Sequence, residues 1–133
     1  MPTQMLKINN PEKTESPLMT NSLFEGKCKP CSSGEGLVKP EDAAEALKEL
    51  EGWSLGDDEK CIVREVTFKN FYRTMAFVNA VAWIANTRDH HPDLEVSYGT
   101  CKVTFTTHKA GGLTQNDFIC AAAVNRLLAE SDA

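Results

Sequence analysis

The sequence predicts an α+β domain in which a four-stranded antiparallel sheet carries three helices on one face. Three observations support this fold class. Alternating apolar and polar residues flank a glycine within 93–107, apolar residues recur at helical spacing within 71–87, and helix start signals open the stretches 40–51 and 114–130. Because a helix separates the two strand pairs, we expect the order helix, strand, strand, helix, strand, strand, helix.

The first part of this domain predicts one helix and two strands. Pro40 suits the first position of a helix over 40–51, and Gly52 suits its carboxyl end. A short strand at 53–55 and a longer strand at 60–68, which is rich in Val, Ile and Thr, are separated by a turn. These two strands form the first predicted hairpin.

The second helix is predicted at 71–87. It ends before Pro92, because proline cannot continue a helix and favours an extended conformation for His91. One apolar stripe of this helix is expected to face the core. The stripe consists of Phe71, Met75, Val78 and Ala82.

The second hairpin decides which histidines meet. If Gly99 and Thr100 form a two-residue type II′ loop, His91 lies directly opposite His108 on the neighbouring strand. Directly opposed residues have Cβ atoms about 4.5–5.5 Å apart, so two imidazoles are expected to meet there. The same alternation places Tyr98 on the core face. This arrangement depends on the position of the turn.

The last helix is predicted over 114–130. Thr114 suits the N-cap position and Asp117 suits the first turn, as in a capping box. From this pattern alone, Asp117 has a structural role at the start of the helix.

Length and composition are those of one globular domain: 133 residues, 41% hydrophobic and 25% charged. Residues 1–22 are polar and contain prolines, which predicts a disordered leader before a single domain at 23–133. A net charge of −5 without a basic cluster argues against direct nucleic-acid binding. No apolar run reaches the roughly 20 residues that span a bilayer, and no targeting signal is recognisable. We therefore expect a cytoplasmic protein with no membrane partner.

The chain has five cysteines, and one pair of them, Cys28 and Cys31, forms a CxxC motif. In a cytoplasmic chain reduced thiols are the default. Free thiols, half of a metal site and a redox pair all remain open, because a single CxxC is a weak pattern.

All three histidines of the chain lie close together in the sequence, two of them in the segment 89–93 (Asp-His-His-Pro-Asp) and the third at His108. Imidazole gives and takes protons near neutral pH, and a neighbouring carboxylate stabilises its charged form. The cluster therefore predicts proton-transfer chemistry. Two alternatives stay open: three histidines can bind zinc, and His90 can cap the preceding helix.

Six spaced residues carry a resemblance to a known enzyme family. They are His90, His91, Pro92, Tyr98, His108 and Asp117, the last of which ends the segment Gly-Leu-Thr-Gln-Asn-Asp at 112–117. This combination resembles the signature of the pterin-4a-carbinolamine dehydratases, and the resemblance covers roughly residues 23–130.

The resemblance implies a reaction. Members of the family dehydrate 4a-hydroxytetrahydrobiopterin to quinonoid dihydropterin, which recycles the pterin of aromatic amino acid hydroxylases. It further implies that His90 and His108 are the acid/base pair, that His91 contacts and orients the substrate, and that Asp117 also supports the histidine site. Neither a metal nor a nucleotide or redox cofactor is implied, and a homodimer or homotetramer built through sheet edges and helices is expected.

Two positions depart from the family pattern. Asn86 stands where the family commonly has an acidic residue, and Leu94 stands where an aromatic residue often follows. We expect Asn86, Asp89 and Pro92 to bind the substrate or support the site together with Asp117. Relatives of this fold also act without catalysis, as a transcription cofactor or an assembly protein, and this alternative stays open.

Overall fold

The computed structural model describes residues 36–130. Three helices and four strands follow one another in the predicted order. Their bounds are α1 Pro40–Leu47, β1 Ser54–Leu55, β2 Ile62–Thr67, α2 Phe71–Arg88, β3 Asp93–Val96, β4 Thr100–Phe105 and α3 Gln115–Ala129.

The four strands form one antiparallel sheet in the order β1-β2-β4-β3. Strands β2 and β4 pair along their whole length, from Ile62 opposite Phe105 to Thr67 opposite Thr100. This arrangement confirms the predicted α+β class.

Strand β4 shows which face of the sheet the helices cover. Its Cys101, Val103 and Phe105 are fully buried, whereas Lys102 and Thr104 between them are partly exposed. Since successive side chains of a strand point to opposite faces, the first three face the core. The core joins them to apolar residues of all three helices, including Ala43, Phe77, Val81, Phe118 and Val124.

Helix α2 buries a different stripe from the one that its sequence predicts. The buried residues are Thr74, Phe77, Val81 and Ala85. Of the predicted stripe, Phe71 and Ala82 are exposed, and Met75 and Val78 are only partly buried. Thr74 can lie in the core because its hydroxyl donates to the carbonyl oxygens of Asn70 and Tyr98, at 2.9 and 2.8 Å.

The β3–β4 hairpin has a different register from the predicted one. Val96 pairs with Cys101, so Tyr98 and Gly99 form the loop, and neither has the positive φ that a type II′ turn requires. Moving the loop by one residue shifts every partner by two, which keeps each side chain on its face. The prediction that Tyr98 is a core residue is wrong as well: it is 67% exposed and stacks on Phe71 at 6.4 Å.

A polar cluster ties the end of α1 to α3. Asn125 Oδ1 accepts from the indole N–H of Trp53 at 2.8 Å and from the Arg64 guanidinium at 2.6 Å. The Asn125 amide and Arg64 both donate to the carbonyl oxygen of Glu51, at 3.0 and 2.9 Å. Gly52, with φ of +90°, brings the chain so close to Arg64 that an added Cβ would lie 2.7 Å from its guanidinium carbon.

Three cysteines within the described range, Cys61, Cys101 and Cys120, are free thiols. Burial raises the pKa of the Cys101 thiol, and burial followed by the charge of Asp58 raises the pKa of Cys61. The predicted leader and the Cys28/Cys31 motif lie outside the described residues. None of the helices within 36–130 is long and apolar enough to cross a membrane.

Candidate active site

The carboxyl end of α2 aims the first histidine at the core. Asp89 takes the left-handed conformation (φ 55°, ψ 42°) and ends the helix. The N–H groups of Asp89 and His90 then donate to the carbonyl oxygens of Asn86 and Ala85, at 3.3 and 3.1 Å, which is the hydrogen-bond pattern of a Schellman motif. The reversal turns His90 back under the helix, where the thiol of Cys120 lies 4.0 Å from its carbonyl oxygen.

His90 is held by a buried carboxylate. Its Nε2 lies 2.6 Å from Asp117 Oδ1, and the side chains are 12% and 0% exposed. A carboxylate oxygen accepts, so the ring carries a proton on Nε2 in this contact. The ring also stacks on Phe105, with centroids 5.9 Å apart and planes inclined by 10°. Carboxylate and phenyl ring together fix the orientation of the imidazole.

Asp117 is satisfied by donors from three parts of the chain. Its Oδ2 accepts from the Thr107 hydroxyl at 2.8 Å and from the Thr114 N–H at 2.9 Å, while Oδ1 faces His90. The contact with Thr114 is one half of the predicted capping box. The predicted helix start is therefore confirmed, and the same carboxylate reaches the histidine. A fully buried carboxylate is tolerated only with such partners.

His91 lies on the exposed side of the same segment. Its Nε2 is 3.3 Å from Asn86 Oδ1, five residues earlier at the end of α2. Both side chains are open to solvent. The neutral amide of Asn86 thus holds the imidazole at the position where the family resemblance leads one to expect a carboxylate.

His108 does not lie opposite His91, contrary to the predicted register. Strand β3 begins only at Asp93, which pairs with Thr104, and β4 ends at Phe105. His108 instead lies exposed in a loop over 107–112, which a bridge between Thr107 and Gly112 closes. Physically, the ladder ends before either histidine because His91 and Pro92 belong to the turn that leaves α2.

The remaining predicted residues have identifiable places. Asp89 is the left-handed residue at the end of α2, and Pro92 precedes the first residue of β3. Leu94 is half-buried and packs against the core. Within residues 36–130, no three His, Cys, Asp or Glu side chains lie close enough together to hold a metal ion.

Two contributors to the site were missed at the sequence level, Thr107 and Phe105. Phe105 is the last residue of β4 and stacks on His90, and Thr107 follows two residues after the strand and contacts Asp117. The alternation of 101, 103, 105 and 107 on one face was a usable signal, since it continues the core face to the residue just before His108.

The arrangement suits proton transfer. The buried carboxylate of Asp117 orients the His90 imidazole. His108 directly follows Thr107, whose hydroxyl contacts the same carboxylate. The exposed His91 imidazole lies beside the Asn86 amide. Imidazoles held in this way can act as general acid and general base near neutral pH.

Comparison with known proteins identifies the family. The sequence profile of the family described as "Pterin 4 alpha carbinolamine dehydratase" matches residues 37–127. A protein of Nitrosomonas eutropha is 54% identical over 113 residues, covering 83% of this chain and 98% of its own. A protein of Legionella pneumophila (strain Corby) is 48% identical over 113 residues, covering 84% and 100%. The names of both mark them as candidate pterin-4-alpha-carbinolamine dehydratases.

A solved structure agrees with this assignment. The crystal structure of a transcriptional coactivator/pterin dehydratase from Brucella melitensis is 32% identical, with a TM-score of 0.65, and covers 68% of this chain and 96% of its own. The profile match spans the part of the chain that holds the three histidines and Asp117. The chain belongs to the pterin-4-alpha-carbinolamine dehydratase family.

Proposed function

We propose that this protein dehydrates 4a-hydroxytetrahydrobiopterin to quinonoid dihydropterin by histidine acid/base catalysis. The observation that carries the proposal is the 2.6 Å contact between His90 Nε2 and the buried carboxylate of Asp117. A salt-bridge partner of this kind orients an imidazole and stabilises its positive charge. Family membership supplies the substrate class.

The reaction needs two proton transfers. N5 of the pterin loses a proton, the C4a–O bond breaks, and the hydroxyl leaves as water once it has received a proton. The electron pair of N5 forms the new C4a=N5 double bond, so no oxidant or reductant takes part. A positioned acid or base contributes about 10²–10⁴-fold to such a step.

The proposed roles are those that the family resemblance implies, and the contacts of His90 support them. His90 and His108 form the acid/base pair, because His90 is set by Asp117 and His108 follows the residue that contacts the same carboxylate. His91 and Asn86 contact and orient the pterin from the exposed side. Asp89 and Pro92 support the site by fixing the chain on either side of the two histidines.

The proposal extends to assembly and pathway. Two large aromatic side chains of α2, Tyr72 at 82% and Trp83 at 72% exposure, lie on the solvent side of the helix. Their exposure supports a homodimer or homotetramer in which this helix packs against another copy. The enzyme would then act in the cytoplasm after an aromatic amino acid hydroxylase has used the pterin.

The second candidate function is a non-catalytic one. The Brucella melitensis relative is described as a coactivator as well as a dehydratase. Exposed aromatic residues on α2 could equally serve a protein partner. Turnover separates the two candidates, because a protein that only binds a partner does not accelerate dehydration.

The test is formation of quinonoid dihydropterin from 4a-hydroxytetrahydrobiopterin, followed by absorbance with and without EDTA. We expect wild-type acceleration over buffer that EDTA leaves unchanged, with a large loss for His90→Ala and His108→Ala. Lys48→Ala, an exposed change at the far end of α1, serves as the control. Equal rates for wild type and buffer would contradict the proposal.

A further inference from the structure

We infer that Thr107 is a positioning residue that couples His90 to His108 through Asp117. The inference rests on the proposed function, which assigns the two histidines their roles. Thr107 is almost fully buried, so we infer that it acts through the carboxylate and through the loop that carries His108.

The side chain of Thr107 reaches the carboxylate. Its hydroxyl donates to Asp117 Oδ2 at 2.8 Å and lies 2.7 Å from the Thr114 hydroxyl. Because the Thr107 proton is used for Asp117, the Thr114 hydroxyl donates to Thr107. All three side chains are almost fully buried, so solvent cannot replace a missing donor.

The backbone of Thr107 fixes the histidine loop. Its N–H donates to the Gly112 carbonyl oxygen at 3.0 Å, and its own carbonyl oxygen accepts from Ala110, Gly111 and Gly112 at 3.1, 3.0 and 3.3 Å. His108 follows Thr107 directly within this loop. Thr107 therefore contacts Asp117, the partner of His90, with its side chain. With its backbone it holds the loop that carries His108.

Removing the hydroxyl has a defined consequence. In Thr107→Val the carboxylate loses one of its two Oδ2 donors and is freed to rotate about its χ2 bond, which misdirects Oδ1 from His90. We expect kcat to fall by about tenfold or more, since a hydrogen bond to a charged group is at stake. KM should stay near the wild-type value, because the buried Thr107 side chain presents almost no surface to a substrate.

A matched control stands next in the chain. Thr106 also donates its hydroxyl, to the Lys60 carbonyl oxygen at 2.5 Å, but from the other face of the strand. Thr106→Val makes the same substitution one position away and removes a hydrogen bond to a neutral carbonyl oxygen that does not involve Asp117. We expect it to leave kcat unchanged.

A second pair of variants keeps the test decisive if Thr107→Val does not fold. Thr107→Ser and Thr107→Cys lack the same methyl group and differ in the strength of their donor. We expect serine to retain the wild-type kcat and cysteine to lose most of it. Equal kcat values for these two variants would overturn the inference, as would wild-type kcat in a folded Thr107→Val.

A readout independent of turnover is the tautomer of His90. Long-range ¹H–¹⁵N correlation spectra can resolve three imidazoles, the number in the whole chain, and His→Gln variants assign them. We expect the Nε2–H form of His90 in wild type, Thr106→Val and Thr107→Ser, and a mixture of tautomers in Thr107→Cys. Unchanged His90 signals in the cysteine variant would overturn the inference. Failure of the wild type to turn over would instead contradict the proposed function alone.

Discussion

His90 and Asp117 are 27 positions apart in the chain, yet His90 Nε2 and Asp117 Oδ1 lie 2.6 Å apart across the junction of α2 and α3. One carboxylate thereby caps the start of a helix and orients an imidazole at the end of another. The contact connects the part of the fold that is easiest to predict, a helix cap, with the chemistry proposed for the site.

Asp117→Asn tests this connection. Asp117 accepts from His90 and from the Thr114 N–H, whereas an amide has one acceptor oxygen. We expect the amide oxygen to stay with Thr114, so that Nδ2 faces His90 and forces its proton onto the other ring nitrogen. The kcat should fall by about 10- to 100-fold and the free energy of unfolding by about 1–3 kcal/mol.

Steady-state kinetics and urea denaturation of the same preparations measure both effects. Asp57→Asn, the same change at an exposed turn residue, is the control and should alter neither. Wild-type kcat in Asp117→Asn would mean that the carboxylate is only a helix cap.

The element order could be predicted from the sequence because its signals are local. Pro40 does begin α1, and Thr114 does precede α3 as its N-cap. The buried face of α2 could not be predicted in this way, because apolar residues lie on two adjacent stripes of that helix. Which of the two stripes is buried depends on contacts with residues far along the chain. One such contact is the hydrogen bond from the buried Thr74 hydroxyl to the Tyr98 carbonyl oxygen.

The site was only partly predictable for the same reason. The histidines and their spacing suggested the chemistry that is proposed for the site, and the resemblance named Asp117. The complete burial of the Asp117 carboxylate depends on two donors, Thr107 and His90, which lie 10 and 27 residues away in the sequence. No local sequence pattern reveals such distant partners. The register error at Gly99 arose because a glycine was given the first loop position, whereas it occupies the second.

Asp89→Gly is expected to stabilise the protein. Asp89 has φ of +55°, which costs a residue with a Cβ about 1 kcal/mol, and its negative charge at a helix carboxyl end is unfavourable. We expect the free energy of unfolding to rise by about 1 kcal/mol and Asp89→Val to lower it. Glu59→Gly, at φ of +60°, provides the matched control.

Urea denaturation measures the stability of the two glycine variants, and kinetics test the role of Asp89. If Asp89 supports the site by fixing the chain, as proposed, both variants gain stability and keep wild-type activity, because glycine adopts the same backbone conformation. Loss of activity in Asp89→Gly alone would mean that the Asp89 side chain itself contributes to the site.

Stability should decline at alkaline pH through Cys101. Burial raises the pKa of this thiol above its ordinary value of about 9 in the folded state, so the unfolded chain releases its proton first. The stabilisation by the protonated Cys101 thiol is complete below its ordinary pKa of about 9 and is lost as the pH rises through the pKa of the folded state.

Unfolding in urea at increasing pH under reducing conditions should show this decline, and Cys101→Ala should flatten it. An equally steep decline in Cys101→Ala and in wild type would assign the effect to other groups, of which Cys61, with its raised pKa, is the first to test.

Asn125→Leu should separate stability from activity. The change leaves the Trp53 indole N–H and part of the Arg64 guanidinium without their acceptor. We expect the free energy of unfolding to fall by about 1–3 kcal/mol, because the buried Trp53 indole N–H loses its partner, whereas half-buried Arg64 keeps the Glu51 carbonyl oxygen. The kcat at low temperature should remain that of the wild type, since the cluster lies at the opposite end of α3 from Asp117. A large loss of kcat in the folded variant would contradict this independence.

Asn86→Glu restores the acidic residue that the family commonly has and tests whether its absence limits the rate. Asn86 Oδ1 contacts His91 Nε2 at 3.3 Å, and a carboxylate there would form a charge-assisted hydrogen bond with the ring. Because both side chains are exposed, the gain is limited to about 1 kcal/mol, or about a fivefold rise in kcat/KM. Added salt should reduce this gain, since it screens exposed charges.

Asn79→Glu, two turns earlier on the exposed side of α2, introduces the same charge away from His91 and should leave kcat/KM unchanged. An equal rise in both variants would indicate a general effect of negative charge, and a fall in Asn86→Glu would show that the neutral amide is the better partner for His91 in this protein.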